Sequence, residues 1–234
     1  GVRPARWAAA AAAAYGVSIY FDAKLLAVPV EVALNLSLLR LALWALDGDR
    51  PRRWLAAGGV AGLAALARPN ILLFAAALVV WLLVRPRGGP ASARRGGRTL
   101  PAALFVAAAA AAILPVTARN LLVGHDQVLI SHNGGINFYI GNNAQYDSTV
   151  AIHPGQDWEN LVAQPALAGI AKPSARSRYF VRKSLAYAAD QPLDFAALMV
   201  RKAWLLVNGA EIKRDQDIYY SGTYSRVARL LIWD

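Results

Sequence analysis

Three cations of this chain, Lys24, Arg68 and Arg119, lie near the ends of apolar runs, and their side chains suit phosphate chemistry. An Arg guanidinium binds phosphate oxygens through two parallel hydrogen bonds, and both Arg and Lys stabilise the negative charge of a departing phosphate. Asp22 and Asn70 add polar groups close to Lys24 and Arg68. Taken singly, each of these side chains could instead extend from an apolar segment to contact lipid headgroups. A phosphate site and headgroup contact therefore both stay open.

The elements that would position these cations are apolar runs separated by short, Arg-rich breaks. The runs occupy residues 7–21, 25–46, 54–67, 71–84 and 99–118. Together they contain two formal charges, Glu31 and Arg40. Repeated apolar runs of this kind are typical of a polytopic membrane protein, so we predict a mainly α-helical fold with about five passes in residues 1–118. The composition agrees, because 17% of the residues are charged, against about 25% in an ordinary soluble domain.

The charges in the breaks predict the orientation of this truncated transmembrane helix bundle. The break at 85–98 contains five Arg and no acidic residue, which is typical of a cytoplasmic loop. The break at 47–53 is also basic in its second half, so residues 54–84 should cross twice and turn outside at 68–70. Gly58 and Gly62 support close packing of these short helices, because small residues four apart let helices approach in lipid. Residues 119–234 should then face outward.

Glu31 is the acidic residue inside a predicted membrane helix. Such a residue is a candidate for function by default. A neutral or hydrogen-bonded Glu that packs against a neighbouring helix is an equally good interpretation.

Residues 119–234 are predicted to form a mixed extracytoplasmic segment. Asn133-Gly134 lies between two runs of β-forming residues, which predicts a β-hairpin at 127–141. Two amphipathic helices are predicted near 174–189, with Ser174 as N-cap, and near 192–207.

Several classes of partner and cofactor are disfavoured. The net charge is +11, but the Arg residues of the first half lie between apolar runs and form no basic face with stacking aromatics, so we expect no nucleic-acid partner. The chain has no Cys, which excludes disulfides and Cys-ligated metal. The spacing of His125, His132 and His153 fits no metal motif. No cofactor is identifiable and no metal ligand is assigned, although a divalent metal stays possible.

Five short strings share a pattern with a known family. They are Ile-Tyr-Phe-Asp-Ala-Lys-Leu-Leu at 19–26 followed by Pro29, Gly-Leu-Ala-Ala-Leu-Ala-Arg-Pro-Asn at 62–70, Leu-Pro-Val-Thr-Ala-Arg-Asn at 114–120, Ile-Ser-His-Asn-Gly-Gly-Ile-Asn-Phe-Tyr-Ile-Gly-Asn-Asn at 130–143, and a segment at 208–219 that contains Asn-Gly, Glu-Ile and Gln-Asp-Ile-Tyr. Together they resemble a bacterial, family 39-like branch of the GT-C membrane glycosyltransferases. This branch is similar to the dolichyl-phosphate-mannose protein mannosyltransferases and the lipid A aminoarabinose transferases.

The resemblance implies a glycosyltransferase of the bacterial plasma (inner) membrane that takes a sugar from a polyprenyl-phosphate donor on the outer face. The acceptor would be an unknown glycan, lipid or protein, and a carboxylate would remove the proton of its attacking hydroxyl. Lys24, Arg68 and Arg119 would bind the donor phosphate. The sugar or acceptor pocket would be formed by Asn70, Asn133, Asn137, Tyr139, Asn142, Asn143, Glu211, Asp217 and Tyr219.

The resemblance also implies that the catalytic base lies in a first outer loop, which would precede Gly1. The chain starts at Gly1 and its single Met is Met199, so we interpret it as a fragment without its own base. Asp22 and Glu31 are the fallback candidates for that role.

Two other classes of protein stay open. A transporter or flippase-like protein would use Glu31 and Arg40 as an intramembrane pair. Nine residues on a helix place these two about 180° apart, which disfavours a shared pathway. The other class is a non-catalytic membrane scaffold whose outer domain binds a partner.

Overall fold

The structure is a computed structural model, and it describes residues 2–23, 27–48, 50–84, 99–208, 223–226 and 229. These residues are mainly helical: they form eleven helices, and no strand occurs among them. The chain divides into two compact units, Gly1–His125 and Asp126–Asp234, called unit 1 and unit 2 below.

The described residues of unit 1 form six helices. They are α1 (Val2–Ala14), α2 (Gly16–Ala23), α3 (Val28–Gly48), α4 (Pro51–Ala67), α5 (Ile71–Val84) and α6 (Thr99–Leu122). The first apolar run, predicted as one helix, is divided between Ala14 and Gly16, where a Gly costs a helix about 1 kcal/mol relative to Ala. Of the described helices, α3 and α6 are long and apolar enough to cross a membrane. At 1.5 Å per residue they span roughly 31 and 36 Å, against a hydrocarbon core of about 30 Å.

Helix α4 packs closely against α6 through two glycines. A Cβ at Gly58 would collide with the backbone oxygen of Phe105, and a Cβ at Gly62 would collide with that of Ala109. Such contacts let backbones approach each other without an intervening layer of side chains. The glycines and their partners follow the same order with the same spacing, so α4 and α6 run parallel.

Helix α5 runs in the opposite direction to α4. Helix α4 ends at Ala67 and α5 begins at Ile71, so the predicted turn at 68–70 is present. Leu82, near the end of α5, is fully buried in the same core cluster as Trp54, near the start of α4. Helix α5 therefore folds back. The start of α3, the end of α4, the start of α5 and the end of α6 meet at one end of the bundle, called the Arg68 end below.

Unit 2 contains five described helices. They are α7 (Gly134–Gly141), α8 (Tyr146–Val150), α9 (Gln156–Leu167), α10 (Pro173–Asp190) and α11 (Pro192–Val207). Helices were predicted at the positions of α10 and α11, and both begin with a Pro in the first turn, where its missing N–H has no intrahelical partner to lose.

The predicted β-hairpin at 127–141 is wrong. Residues 134–141 form helix α7, and residues 127–133 contain no strand. The apolar residues Ile136, Tyr139 and Ile140 have helical spacing, and Tyr139 is buried in a core with Leu161 and Phe180.

Gly135 explains why the hairpin signal misled. Its backbone N–H donates to the Ser177 hydroxyl at 3.0 Å, and a Cβ at this position would collide with the Ser177 carbonyl oxygen. The glycine therefore permits close packing of α7 on α10, and it does not form a turn.

Candidate functional site

Arg68 is ion-paired with Glu31 at the Arg68 end. Arg68 Nε lies 2.8 Å from Glu31 Oε2, and the side chains are 53% and 14% exposed, respectively. The backbone of Arg68 is extended as it caps α4, which is the conformation that a following Pro favours. The Arg68 side chain thus lies at the helix end with about half of its surface reachable by an incoming anion. Arg40, by contrast, is exposed on α3, and Glu31 pairs with Arg68.

Arg119 and Asn70 belong to the same end of the bundle. Asn70 is exposed in the turn between α4 and α5, and Arg119 is exposed in the last turn of α6. The register of α4 and α6 brings Pro115 level with Arg68, so Arg119 lies four residues farther along α6, or about 6 Å. Both cations also complement the partial negative charge of a helix C-terminus.

The other residues predicted near the phosphate site are less well placed. Lys24 lies outside the described residues. Asp22 is exposed near the end of α2, and no hydrogen bond or ion pair among the described residues links Asp22 to the Arg68 end.

Unit 2 contains a pocket of about 180 Å³ between α7, α9 and α10, called the α7 pocket below. Its apolar lining is Ile136, Trp158, Val162, Pro165 and Phe180, and its polar lining is His132, Asn133, Asn137, Arg176 and Ser177. It brings together two residues predicted from the sequence, Asn133 and Asn137, which lie one helical turn apart. Trp158 and Arg176 were not predicted from the sequence, because they come from other helices and carry no local signal.

Two backbone contacts fix the polar side of the α7 pocket. Arg176 Nε donates to the Ile170 carbonyl oxygen at 3.1 Å, and Ser177 accepts the hydrogen bond from Gly135. An indole surface flanked by amides, a guanidinium and an imidazole can contact a polar ring on its face and its hydroxyl groups at once.

Asn142 and Asn143 are buried and hold the backbone after α7. Asn142 Nδ2 donates to the Phe138 carbonyl oxygen at 2.7 Å. Asn143 Nδ2 donates to the carbonyl oxygen of Tyr139 at 2.6 Å and to Thr149 Oγ1 at 2.9 Å. These internal bonds engage the amides that the sequence analysis assigned to a sugar pocket.

Tyr139 also lies inside unit 2, where its ring is 5.5 Å from that of Phe180. It lines a second, more polar cleft of about 540 Å³ beside α8 and α9, together with His153, Asp157 and Asn160.

Asp126 anchors the start of unit 2 to α10. Its carboxylate accepts hydrogen bonds from the Ser174 N–H at 2.7 Å and the Gln127 N–H at 2.9 Å. These bonds, chiefly those from Ser174, hold the pKa of Asp126 below its ordinary value. Ser174 was predicted as the N-cap, but Lys172 holds that position, because α10 already begins at Pro173.

Three predicted site residues, Glu211, Asp217 and Tyr219, lie outside the described residues. Within the described part of the chain, no three His, Asp or Glu side chains form a group that could hold a metal ion.

Comparisons with protein-family models, with curated proteins and with solved structures find no match for this chain.

Proposed function

We propose that this chain belongs to an integral membrane glycosyltransferase that takes a sugar from a polyprenyl-phosphate donor and passes it to an acceptor hydroxyl. The observation that carries the proposal is the grouping of Arg68, Glu31, Asn70 and Arg119 at one end of a helical bundle. Two helices of that bundle have the length and composition of membrane spans. The phosphate of a lipid-linked donor lies where the apolar lipid tail meets water, so a protein that binds it needs cations at that boundary.

In this proposal Arg68 and Arg119 stabilise the phosphate that departs with the lipid. Glu31 is ion-paired with Arg68, so we assign it the task of holding that guanidinium. The base that removes the acceptor proton would lie upstream of Gly1, with Asp22 and Glu31 as the fallbacks inside the chain.

The α7 pocket is the proposed contact for the sugar or the acceptor. Trp158 would contact a ring face, while Asn133, Asn137 and Arg176 would hydrogen-bond to its substituents. Asn142 and Asn143 would act indirectly, by holding α7 in place.

The proposed location is the bacterial plasma membrane with the Arg68 end and unit 2 outside. Arg50, Arg52 and Arg53 lie at the start of α4, at the opposite end of the bundle from Arg68. Clustered Arg residues favour the cytoplasmic side.

Arginine substitutions in the full-length protein test the phosphate site. We expect Arg68→Ala and Arg119→Ala each to lower turnover about ten- to a thousandfold, the scale of losing one group that stabilises the transition state. The measurement is release of polyprenyl phosphate from radiolabelled donor in detergent. Arg52→Ala is the matched control, because it removes an exposed Arg from the other end of the same helix. If both variants keep activity near that of the unsubstituted protein, the phosphate site is wrong and contact with lipid headgroups is the better interpretation of these cations.

The same assay locates the base. Lys and Arg are protonated at neutral pH and cannot remove the acceptor proton, so residues 1–234 alone should transfer no sugar. The full-length protein should release polyprenyl phosphate only with an acceptor present. Transfer by residues 1–234 alone would place the base inside them and make Asp22 or Glu31 the candidate.

A further inference from the structure

Both cations of helix α11 contact other parts of unit 2, Lys202 from a half-buried position and Arg201 from an exposed one. Lys202 Nζ donates to the Gly141 carbonyl oxygen at 3.2 Å and to Asn142 Oδ1 at 3.0 Å. Arg201 makes two hydrogen bonds to the Asp147 carboxylate, at 2.6 and 3.0 Å. A helix on a water-exposed surface has the reverse arrangement, with its charges outward and its apolar residues inward.

The outward face of α11 is an apolar stripe. Leu193, Val200, Trp204 and Val207 are 84%, 71%, 65% and 78% exposed. At 100° per residue they fall within an arc of about 60°, with Lys202 nearly opposite the arc and Arg201 about 60° from its edge. Leu206, which is 86% exposed, lies outside the arc on the Lys202 side near the end of the helix. Leu198, on the protein side, is 7% exposed. The helix is thus amphipathic in the sense that suits an apolar surrounding.

We propose that α11 lies in the membrane interface with this stripe in contact with lipid. Lipid is the occupant that the chain itself favours, because α3 and α6 are long and apolar enough to cross a membrane. With 16 residues, α11 is roughly 24 Å long, too short to cross a core of about 30 Å. The indole of Trp204 suits the headgroup level, where aromatic side chains are enriched. This inference rests on the proposed membrane location but not on catalysis.

The contacts of Lys202 and Arg201 give the interface a consequence for unit 2. They tie α11 to the end of α7, through Gly141 and Asn142, and to α8, through Asp147. A stripe held in lipid therefore fixes the height of α7, and with it the α7 pocket, above the bilayer surface.

The absence of Cys from the chain allows a test by site-directed spin labelling. Single variants Leu193→Cys, Val200→Cys and Trp204→Cys carry a nitroxide, and the full chain is reconstituted into vesicles of phosphatidylethanolamine and phosphatidylglycerol. Collisions with molecular oxygen report lipid, and collisions with a water-soluble nickel chelate report water. Asp194→Cys is the matched control, because it is exposed and lies about 100° from the stripe. Leu36→Cys on α3, which is 62% exposed, is the lipid reference.

We expect collisions with oxygen to be more frequent than collisions with the nickel chelate at the three stripe positions and at Leu36. At Asp194 we expect collisions with the nickel chelate to be more frequent. Frequent nickel collisions at the stripe together with frequent oxygen collisions at Leu36 would overturn the inference and leave the membrane location intact. Shielding of the stripe from both reagents would mean that protein covers it, and would also overturn the inference. Nickel at Leu36 as well would remove the membrane location itself.

Discussion

At the scale of single residues, Asp126 shows how unit 2 secures the start of a helix from a distance. The first N–H groups of α10 have no intrahelical acceptor, and Asp126 supplies one from a position 48 residues earlier. The residue is buried, with 7% of its surface exposed. Its charge therefore stabilises both the helix start and the attachment of the preceding loop.

This arrangement predicts a dependence of stability on pH. Because the pKa of Asp126 is lowered in the folded state, folding favours the carboxylate. Its contribution is complete above the ordinary value of 3.8 and is lost as the pH falls through the lower folded value. We expect Asp126→Asn to lower the thermal unfolding midpoint near neutral pH, and the deficit to shrink as the pH falls below 3.8.

The measurement is circular dichroism of the full chain in detergent at several pH values. Asp190→Asn, at the exposed far end of α10, is the control and should not lower the midpoint. A deficit of Asp126→Asn that stays constant across the acid range would show that the carboxylate charge is not what stabilises the helix start.

For individual site residues, the sequence predicts which end of the bundle they occupy but not which side chains they contact. The basic loops and the turn at 68–70 imply that Arg68 and Arg119 share one end, and the parallel register of α4 and α6 agrees. The partner of Arg68 could not be predicted. Whether Glu31 faces α4 depends on the rotation of α3 about its axis, which the packing of three helices decides.

At the scale of elements, α7 shows where a local signal loses to tertiary packing. Asn-Gly between β-forming residues favours a two-residue turn. The same stretch also places Ile136, Tyr139 and Ile140 at helical spacing, and burial against α10 decides between the two. Helices α10 and α11 were predictable because their signals agree: a Pro in the first turn and a helical apolar period.

The two adjacent glycines of α7 provide a matched test of that packing. Gly135→Ala should destabilise the chain by about 1–3 kcal/mol, the scale of overpacking, because the new methyl group meets the backbone oxygen of Ser177. Gly134→Ala has open space around its Cβ, so we expect it to be neutral or to stabilise by up to about 1 kcal/mol through helix propensity. Thermal unfolding of both variants in the same detergent measures the difference. Equal midpoints would mean that α7 does not pack this closely on α10.

At the scale of the whole molecule, the charges at the two ends of the bundle predict which side each faces. Ser92→Cys lies in the Arg-rich break, and Ala144→Cys is at an exposed position of unit 2. A membrane-impermeant maleimide applied to intact cells should label position 144 and leave position 92 protected until the membrane is opened. Labelling at 92 with protection at 144 would reverse the orientation and remove the outer-face phosphate site.

The two helices that are long and apolar enough to cross a membrane, α3 and α6, could be predicted from composition, because apolar length is a property of whole segments. Apolar runs and Arg-rich breaks average over many residues, and a few irregular positions do not change them. Only part of the lining of the α7 pocket could be predicted from the sequence. Asn133 and Asn137 lie in one string, but Trp158 and Arg176 reach the same pocket from α9 and α10.

The glycine contacts between α4 and α6 also limit how the Arg68 end can move. Sliding α4 by one residue would bring a methyl or a larger group where Gly58 or Gly62 now meets a backbone oxygen of α6. We therefore expect Arg68 and Arg119 to move as one rigid piece. If the proposed lipid phosphate binds here, its headgroup would enter by displacement of α3, which carries Glu31, or of the turn at Pro69 and Asn70. On that proposal the ion pair would open first, and the two arginines would keep their separation.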